Sequence, residues 1–274
     1  MKIQIQYKTH IVLYCIEPDK PILLGMSSTN TSTHVTSYFL LSKPKQFGVS
    51  NDTENQLVHL NGNGRNIFLL PSINIDYYAK NGLFENQLIE WCGQFCKKDR
   101  TFLDIGAHTG TYSIALADRC MDVYSFEPQR DTYYALCGGV ALSQLRNVSC
   151  NNVGLGSENQ VGKLKLHIVS EDGGGSTVHA PEHGVLHTET IEIRTLDSYQ
   201  LSNVGFIKMD VEDNELYVLQ GASSTLERSG YPPIVFESNR GSNTPLFDYL
   251  QNELKYNVIP IGGCMNMYLS LIHI

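Results

Sequence analysis

From residue 101 onward, short apolar runs alternate with stretches of helical texture, and that alternation leaves few folds open. Runs at 101–105, 122–126, 148–153, 205–210 and 234–237 read as strands, and 109–120, 130–145, 214–228 and 244–254 read as helices. Residues 83–97 place Leu83, Leu88, Trp91, Cys92 and Phe95 on one stripe, as an amphipathic helix would. Two further strands are expected near 257–261 and 267–272. Short apolar strands alternating with helices mean a mostly parallel sheet covered on both faces. Ligands of such sheets bind beyond the carboxyl ends of the strands, where the strand order reverses.

Two regions depart from the alternation. Residues 1–75 are rich in Ser, Thr and Asn with short β-like runs, and Asn-Gly-Asn-Gly at 61–64 reads as the turn of a hairpin joining 57–60 to 67–70. This β-rich portion is set apart from 76–274, the expected ligand-binding domain. Within the latter, 156–200 reads as an inserted hairpin with a long glycine-rich tip, EDGGGSTVHAPEHG.

Composition narrows the function. The chain has 274 residues, 42% hydrophobic and 18% charged, which supports a sizeable core. Its net charge of −8 and lack of a basic stripe argue against nucleic acid as a partner. The seven cysteines show neither a disulfide framework nor zinc spacing, and Cys92-x3-Cys96 reads as two small buried hydrophobes. No run approaches the length of a membrane span, and the first residues lack a signal-peptide pattern, so a soluble cytoplasmic protein is expected.

The chemistry concentrates at two strand tips. The first strand ends in Asp104-Ile105-Gly106-Ala107-His108-Thr109-Gly110 and opens into a helix. Glycines there serve a tight turn and close backbone approach. The second strand ends in Phe126-Glu127-Pro128. An acid at that tip accepts both hydroxyl hydrogens of a ribose, so the pair indicates an adenosine-containing ligand. A carboxylate at Asp104 opposes a pyrophosphate and suits a cationic ligand end, the ammonium and sulfonium of S-adenosylmethionine.

The segments DIGAHTGTYSIALA, YSFEPQ, FIKMDVEDNELYVLQGA and IVFES, in that order, resemble the FkbM-type S-adenosylmethionine-dependent methyltransferases from about residue 82 to the end. The resemblance implies a Rossmann-like class I fold, α/β, with a seven-stranded mostly parallel sheet whose last strand is antiparallel. It implies O-methylation of hydroxyls on sugars, glycans or small natural products. By position it puts Asp104, Gly106, Ala107, His108 and Gly110 beside the methionine part and Glu127 on the ribose. Phe126 and Pro128 then shape that wall, Asn152 reaches adenine, and Glu85 matches a recurring family acid. His108 stands where the family usually has Asn, and Asp213 where it has Gly. His108 can titrate near neutrality and so make cofactor affinity depend on pH. Asp213 keeps a tight backbone path.

Methyl transfer to a hydroxyl needs alignment and a base. Asp210, at the fourth strand tip, is the leading base or substrate-orienting acid; Lys208 sets its charge, and it also borders the cofactor. Glu237, at the next tip, is a second candidate, and His179 in the glycine-rich insertion a third. Glu212, Asp213 and Glu215 read as acids at a helix start. Asp210, Glu212 and Glu237 could offer oxygen ligands to Mg²⁺, though no metal is expected. A nicotinamide-dependent oxidoreductase on a related fold and a non-catalytic methyltransferase-like module stand as alternatives, and a homodimer is left open.

Overall fold

The computed structural model describes residues 11–14, 23–26, 38–44, 65–181, 184–239, 244–264 and 266–272, with side chains within 66–271. Four strands come first: β1 (Ile11–Tyr14), β2 (Leu23–Met26), β3 (Tyr38–Pro44) and β4 (Arg65–Pro71), paired in that order as an antiparallel sheet. The described partner of β4 is β3, and the expected turn at 61–64 with its strand 57–60 lies outside the described residues. Two short helices follow, α1 (Ile75–Asn81) and α2 (Asn86–Cys92). The helix expected over 83–97 is therefore shorter, and the chain leaves it at Gly93.

The alternating part runs β5 (Thr101–Ile105), α3 (Thr111–Leu116), β6 (Val123–Phe126), α4 (Arg130–Leu142), β7 (Val148–Asn151), β8 (Gly154–Leu155), β9 (Gly162–Ile168) and β10 (His187–Arg194). It continues through β11 (Val204–Met209), α5 (Glu215–Gln220), α6 (Ser223–Ser229), β12 (Ile234–Glu237), α7 (Pro245–Asp248), β13 (Tyr256–Pro260) and β14 (Met267–Ile272). The helix expected over 214–228 breaks in two at Gly221, where a Cβ would lie 2.1 Å from the Gly156 carbonyl oxygen.

Seven strands form one sheet in the order β13-β14-β12-β11-β5-β6-β7. The pairs β12/β11, β11/β5, β5/β6 and β6/β7 are parallel, and β14 runs antiparallel to both neighbours. This is the Rossmann-like methyltransferase architecture, last strand reversed. The chain fills the sheet outward from β5 to β7, then returns to place β11 on the other side of β5, so the order reverses between β5 and β11. A crevice at their carboxyl ends is the geometric consequence.

Strand periodicity divides the core between the two faces. Phe102 of β5 and Phe206 of β11 point to one face, with Ile114, Leu136 and the Phe68 and Leu70 side chains of β4. Leu103, Ile105, Ile207 and Met209 point to the other, with Val218, Leu226 and Phe236. β4 is fixed to α4 by the Ile67 amide, which donates to Ser143 Oγ at 2.7 Å. The insertion forms its own three-stranded sheet, β8-β10-β9, in which Leu166, Ile168, Ile191 and Ile193 share a small apolar cluster. Among the described residues no helix is long and apolar enough to cross a membrane.

Phe206 stacks on Phe102 and on Phe95, with ring centroids 5.2 and 5.3 Å away. Phe206→Ala should cost about 3–5 kcal/mol in urea unfolding, whereas Tyr134→Ala, on a side chain 61% exposed, should stay within about 0.5 kcal/mol.

Candidate active site

The loop between β5 and α3 is built from backbone contacts. Gly106 has φ +74°, and a Cβ there would lie 1.7 Å from the Asp210 carbonyl oxygen, so only glycine lets the tips of β5 and β11 meet. The amides of Gly106 and Ala107 both donate to the Phe126 carbonyl at 3.0 Å, tying this loop to β6. His108 follows at φ +50°, and its amide donates to Glu127 Oε2 at 2.7 Å. Gly110 (φ +83°) closes the turn by donating to the Ala107 carbonyl.

Glu127 is the hub of this arrangement. Its Oε1 accepts from the Gln129 amide and from Thr132 Oγ1, both at 2.9 Å. Burial drives its carboxyl above the usual range, opposed by His108 and by these hydrogen bonds. Asp104 has a different task. It is fully buried, and its Oδ2 accepts from the amide and the hydroxyl of Ser113 in the first turn of α3.

A second group of acids lies at the tips of β11 and β12. Lys208 Nζ, buried beneath them, donates to the Gly106 carbonyl at 3.1 Å and pairs with Asp210 Oδ2 at 3.4 Å. It also sits 5.2 Å from the centroid of the Tyr112 ring. Burial alone would pull its ammonium down, but Asp210, Asp104 and Glu85 outweigh that and hold it above the ordinary lysine value. Carboxylate oxygens of Asp210, Glu212 and Glu237 lie within 4.8 Å of one another. Burial pushes Glu237 up to about 8, helped by the Asp210 charge and a hydrogen bond with it. Burial also raises Glu212, whose Oε1 accepts from the Gly175 amide.

These tips border a cavity of about 280 Å³. Gly106, Ala107 and His108 form one side, Phe126, Glu127 and Pro128 a second, and Lys208, Asp210 and Glu212 a third. Val153, Leu155, Leu166, Val178, Ile191 and Ile193 make an apolar wall next to Phe126. Asp172 through Ser176 also line it, and this glycine-rich segment is fastened to all three loops. His108 Nε2 contacts the Asp172 carbonyl at 2.6 Å, Ser176 Oγ donates to Gln129 Oε1, and Glu212 holds Gly175. Non-glycine residues with positive φ gather here: Glu85, His108 and Glu212 all line the cavity. Such backbone strain concentrates at functional sites. Asp213 follows at φ +72°, adopting a glycine-like conformation as the tight-turn reading requires.

Of the residues singled out in the sequence, Glu85, Gly106, Ala107, His108, Phe126, Glu127, Pro128, Lys208 and Asp210 line this cavity. Asp104 and Gly110 do not; they shape the loop from behind. Asn152 is exposed and does not line it either, because its amide donates to the carbonyls of Glu127 and Pro128 and clasps the β6 exit. Glu237 does not line the cavity; Asp210 lies beside it, and Asn239 links it to Glu212. His179 lies elsewhere: its Nε2 contacts Asn214 Oδ1 at 3.1 Å, and it lines a separate space of about 220 Å³ with Tyr217, Ser238 and Leu246. The apolar wall escaped the sequence reading, although alternation along β10 buries Ile191 and Ile193 between exposed neighbours.

Glu215, at the start of α5, is buried and accepts from the Val211 amide at 3.1 Å. Burial raises its carboxyl to about 8, well above its unfolded value of 4.5. The folded state therefore binds this proton more tightly, and its contribution to stability falls as pH rises from 4.5 to about 8. Glu215→Gln keeps the acceptor and removes the ionisation. Relative to wild type, it should gain about 1–3 kcal/mol on going from pH 5 to pH 8, read by urea unfolding at both pH values. A wild-type-minus-variant difference independent of pH would refute this.

No curated protein matches the chain. Among solved structures, a methyltransferase FkbM from Methylobacillus flagellatus KT is 18% identical with a TM-score of 0.46; the match covers 64% of this chain and 44% of that one, less than half its length. An rRNA methylase from Streptococcus thermophilus is 10% identical, covering 69% and 96%, with a TM-score of 0.42. A Streptococcus mutans methyltransferase crystallised with SAH is 13% identical, covering 68% and 97%, with a TM-score of 0.41. The model of the methyltransferase FkbM domain matches residues 104–257, from Asp104 in β5 into β13. That match spans more than half of the chain, and the chain belongs to the FkbM family of S-adenosylmethionine-dependent methyltransferases.

Proposed function

We propose that this protein transfers the methyl group of S-adenosylmethionine to a hydroxyl of a sugar, a glycan or a small natural product, with residues 76–274 as the cofactor-binding unit. The observation that carries the proposal is the cavity at the reversal of strand order, with Glu127 on one side and the Lys208–Asp210 pair on another. The residues suit the cofactor. Gly106 lines the cavity with backbone alone, Glu127 Oε2 keeps acceptor capacity after receiving one amide, and the apolar wall beside Phe126 suits an adenine. When bound, S-adenosylmethionine supplies an electrophilic methyl on a positively charged sulfur. The acids at Glu85, Asp172, Asp210 and Glu212 give the cavity a charge that favours a cation.

In this reading Glu127 accepts from the ribose hydroxyls and Asp104 acts as a brace for α3. Asp210 takes the acceptor's proton, and its pairing with Lys208 fixes its direction. Glu237, protonated near neutrality, donates to Asp210 and holds it from the other side. The reaction is read as metal-independent. Lys208 already faces Asp210, and the Gly175 amide already faces Glu212. Turnover surviving EDTA supports this, and loss restored by Mg²⁺ would count against it. Family membership sets aside the oxidoreductase alternative. The six described cysteines are free thiols, which suits the cytoplasm.

S-adenosylhomocysteine at 100 times its Kd should add about 2.7 kcal/mol of stability, seen as a rise in Tm. Glu127→Ala should weaken that binding at least about tenfold, because a charge-assisted pair of hydrogen bonds is lost. Asp210→Asn should leave binding within about twofold while cutting turnover about 100-fold or more, measured with tritiated-methyl transfer on whichever acceptor a screen of sugars, nucleotide sugars and oligosaccharides identifies. Equal loss of cofactor binding in the two variants would contradict this division of roles.

A further inference from the structure

A second cavity, of about 220 Å³, shares a partition with the first. Beyond the tip of β11, Glu212 and Asn214 border the first cavity, whereas Asp213 and Glu215 border the second. The exit of β12 divides in the same way: Glu237 lies with Asp210 and Glu212, and Ser238 borders the second cavity. Consecutive residues of two strand exits thus belong to the two cavities in turn, which sets the second one beside the acids around Asp210. His179 completes the partition, its Nε2 meeting Asn214 Oδ1 at 3.1 Å.

The lining has the chemistry of a sugar site. The rings of His179 and Tyr217 lie 5.8 Å apart, tilted by 34°, and Pro245 and Leu246 add apolar surface. Tyr217 is 37% exposed. A flat ring face takes the C–H side of a pyranose, and a carboxylate takes its hydroxyl hydrogens. Asp213 brings that carboxylate at φ +72°, a conformation that glycine would adopt without strain. Strain kept for the sake of a side chain marks a functional position. None of the described residues bordering the cavity is a lysine or arginine, which disfavours a phosphorylated or acidic sugar. The volume suits one ring rather than a larger ligand.

We propose that this cavity is a sugar subsite, holding one neutral pyranose ring of an oligosaccharide acceptor while the adjoining ring presents its hydroxyl to Asp210. The inference rests on the acceptor reading above and narrows it to a saccharide of two or more units. Tyr217 stacks on the ring, Asp213 accepts from its hydroxyls, and His179, held by Asn214, positions the aromatic platform.

The test titrates the full chain, loaded with S-adenosylhomocysteine, by ligand-observed NMR. The probes are the methyl glycosides of glucose, galactose and mannose and the 1,4-linked disaccharides of each in both anomers, with methyl glucosaminide and methyl glucuronide as charged controls. At least one disaccharide should bind about fivefold or more tighter than its own monosaccharide. Tyr217→Ala should erase that gain and leave S-adenosylhomocysteine affinity within about twofold. Asp213→Gly relieves strained backbone, so it folds even where Tyr217→Ala does not, and it should lower disaccharide affinity about fivefold. No binding by any probe, disaccharides no tighter than monosaccharides throughout, or a gain that survives either variant would each overturn the proposal. So would either charged control binding more tightly than the neutral glucoside. The two readings fail separately. Monosaccharides methylated with no disaccharide gain would remove the subsite alone, whereas failure of the wild type to bind S-adenosylhomocysteine would remove the methyl-transfer reading beneath it.

Discussion

One desolvated carboxylate couples the first two strand tips. Glu127 receives the His108 amide from the β5 loop and the Gln129 amide and Thr132 hydroxyl from the start of α4. Its backbone carbonyl is clasped in turn by Asn152 from beyond β7. Three consecutive strand tips therefore meet at one residue. Leaving these donors unmatched in a buried setting would cost about 1–3 kcal/mol each, so the carboxylate organises the wall as well as any ligand. The cavity inherits its shape from this convergence and from the contact of Gly106 with Asp210.

The acids around the cavity fall into distinct classes by environment. Asp104 is fully buried and turned onto Ser113, which suits a brace. Glu127 is buried yet faces the cavity. Asp210 is a third exposed and carries the nearest cation, Lys208. Glu237, raised to about 8, carries a proton near neutrality and hydrogen-bonds Asp210. Four carboxyl groups with one chemistry thus sit in different environments through burial and partners alone. The glycine-rich insertion adds a further level, since it is fastened to the β5, β6 and β11 loops at once.

Much of this was legible in the sequence because strand–helix alternation, a glycine turn and an acid at the next strand tip are local patterns. They placed the strands and helices; the family resemblance added the seven-stranded sheet with its reversed last strand and Glu85, and together they singled out nine of the residues that line the cavity. Three kinds of information were not local. Asp104 sits two positions before the loop, and only packing decides that its carboxylate turns onto α3 rather than toward a ligand. Asn152 lies just past a strand end and His179 in the glycine-rich insertion, yet backbone carbonyls and Asn214 claim their polar atoms. The apolar wall from Val153 to Ile193 comes from an inserted sheet, and its alternation shows a buried face without naming what it covers. The helix break at Gly221 likewise depends on distant backbone, since a Cβ there would strike Gly156.

The most direct measurement is a crystal structure with S-adenosylhomocysteine bound. The account predicts density along the cavity, with the ribose hydroxyls on Glu127, the adenine against Val153 and Ile193, and the sulfur facing Asp210. A ligand bound elsewhere, or one whose ribose makes no contact with Glu127, would contradict it.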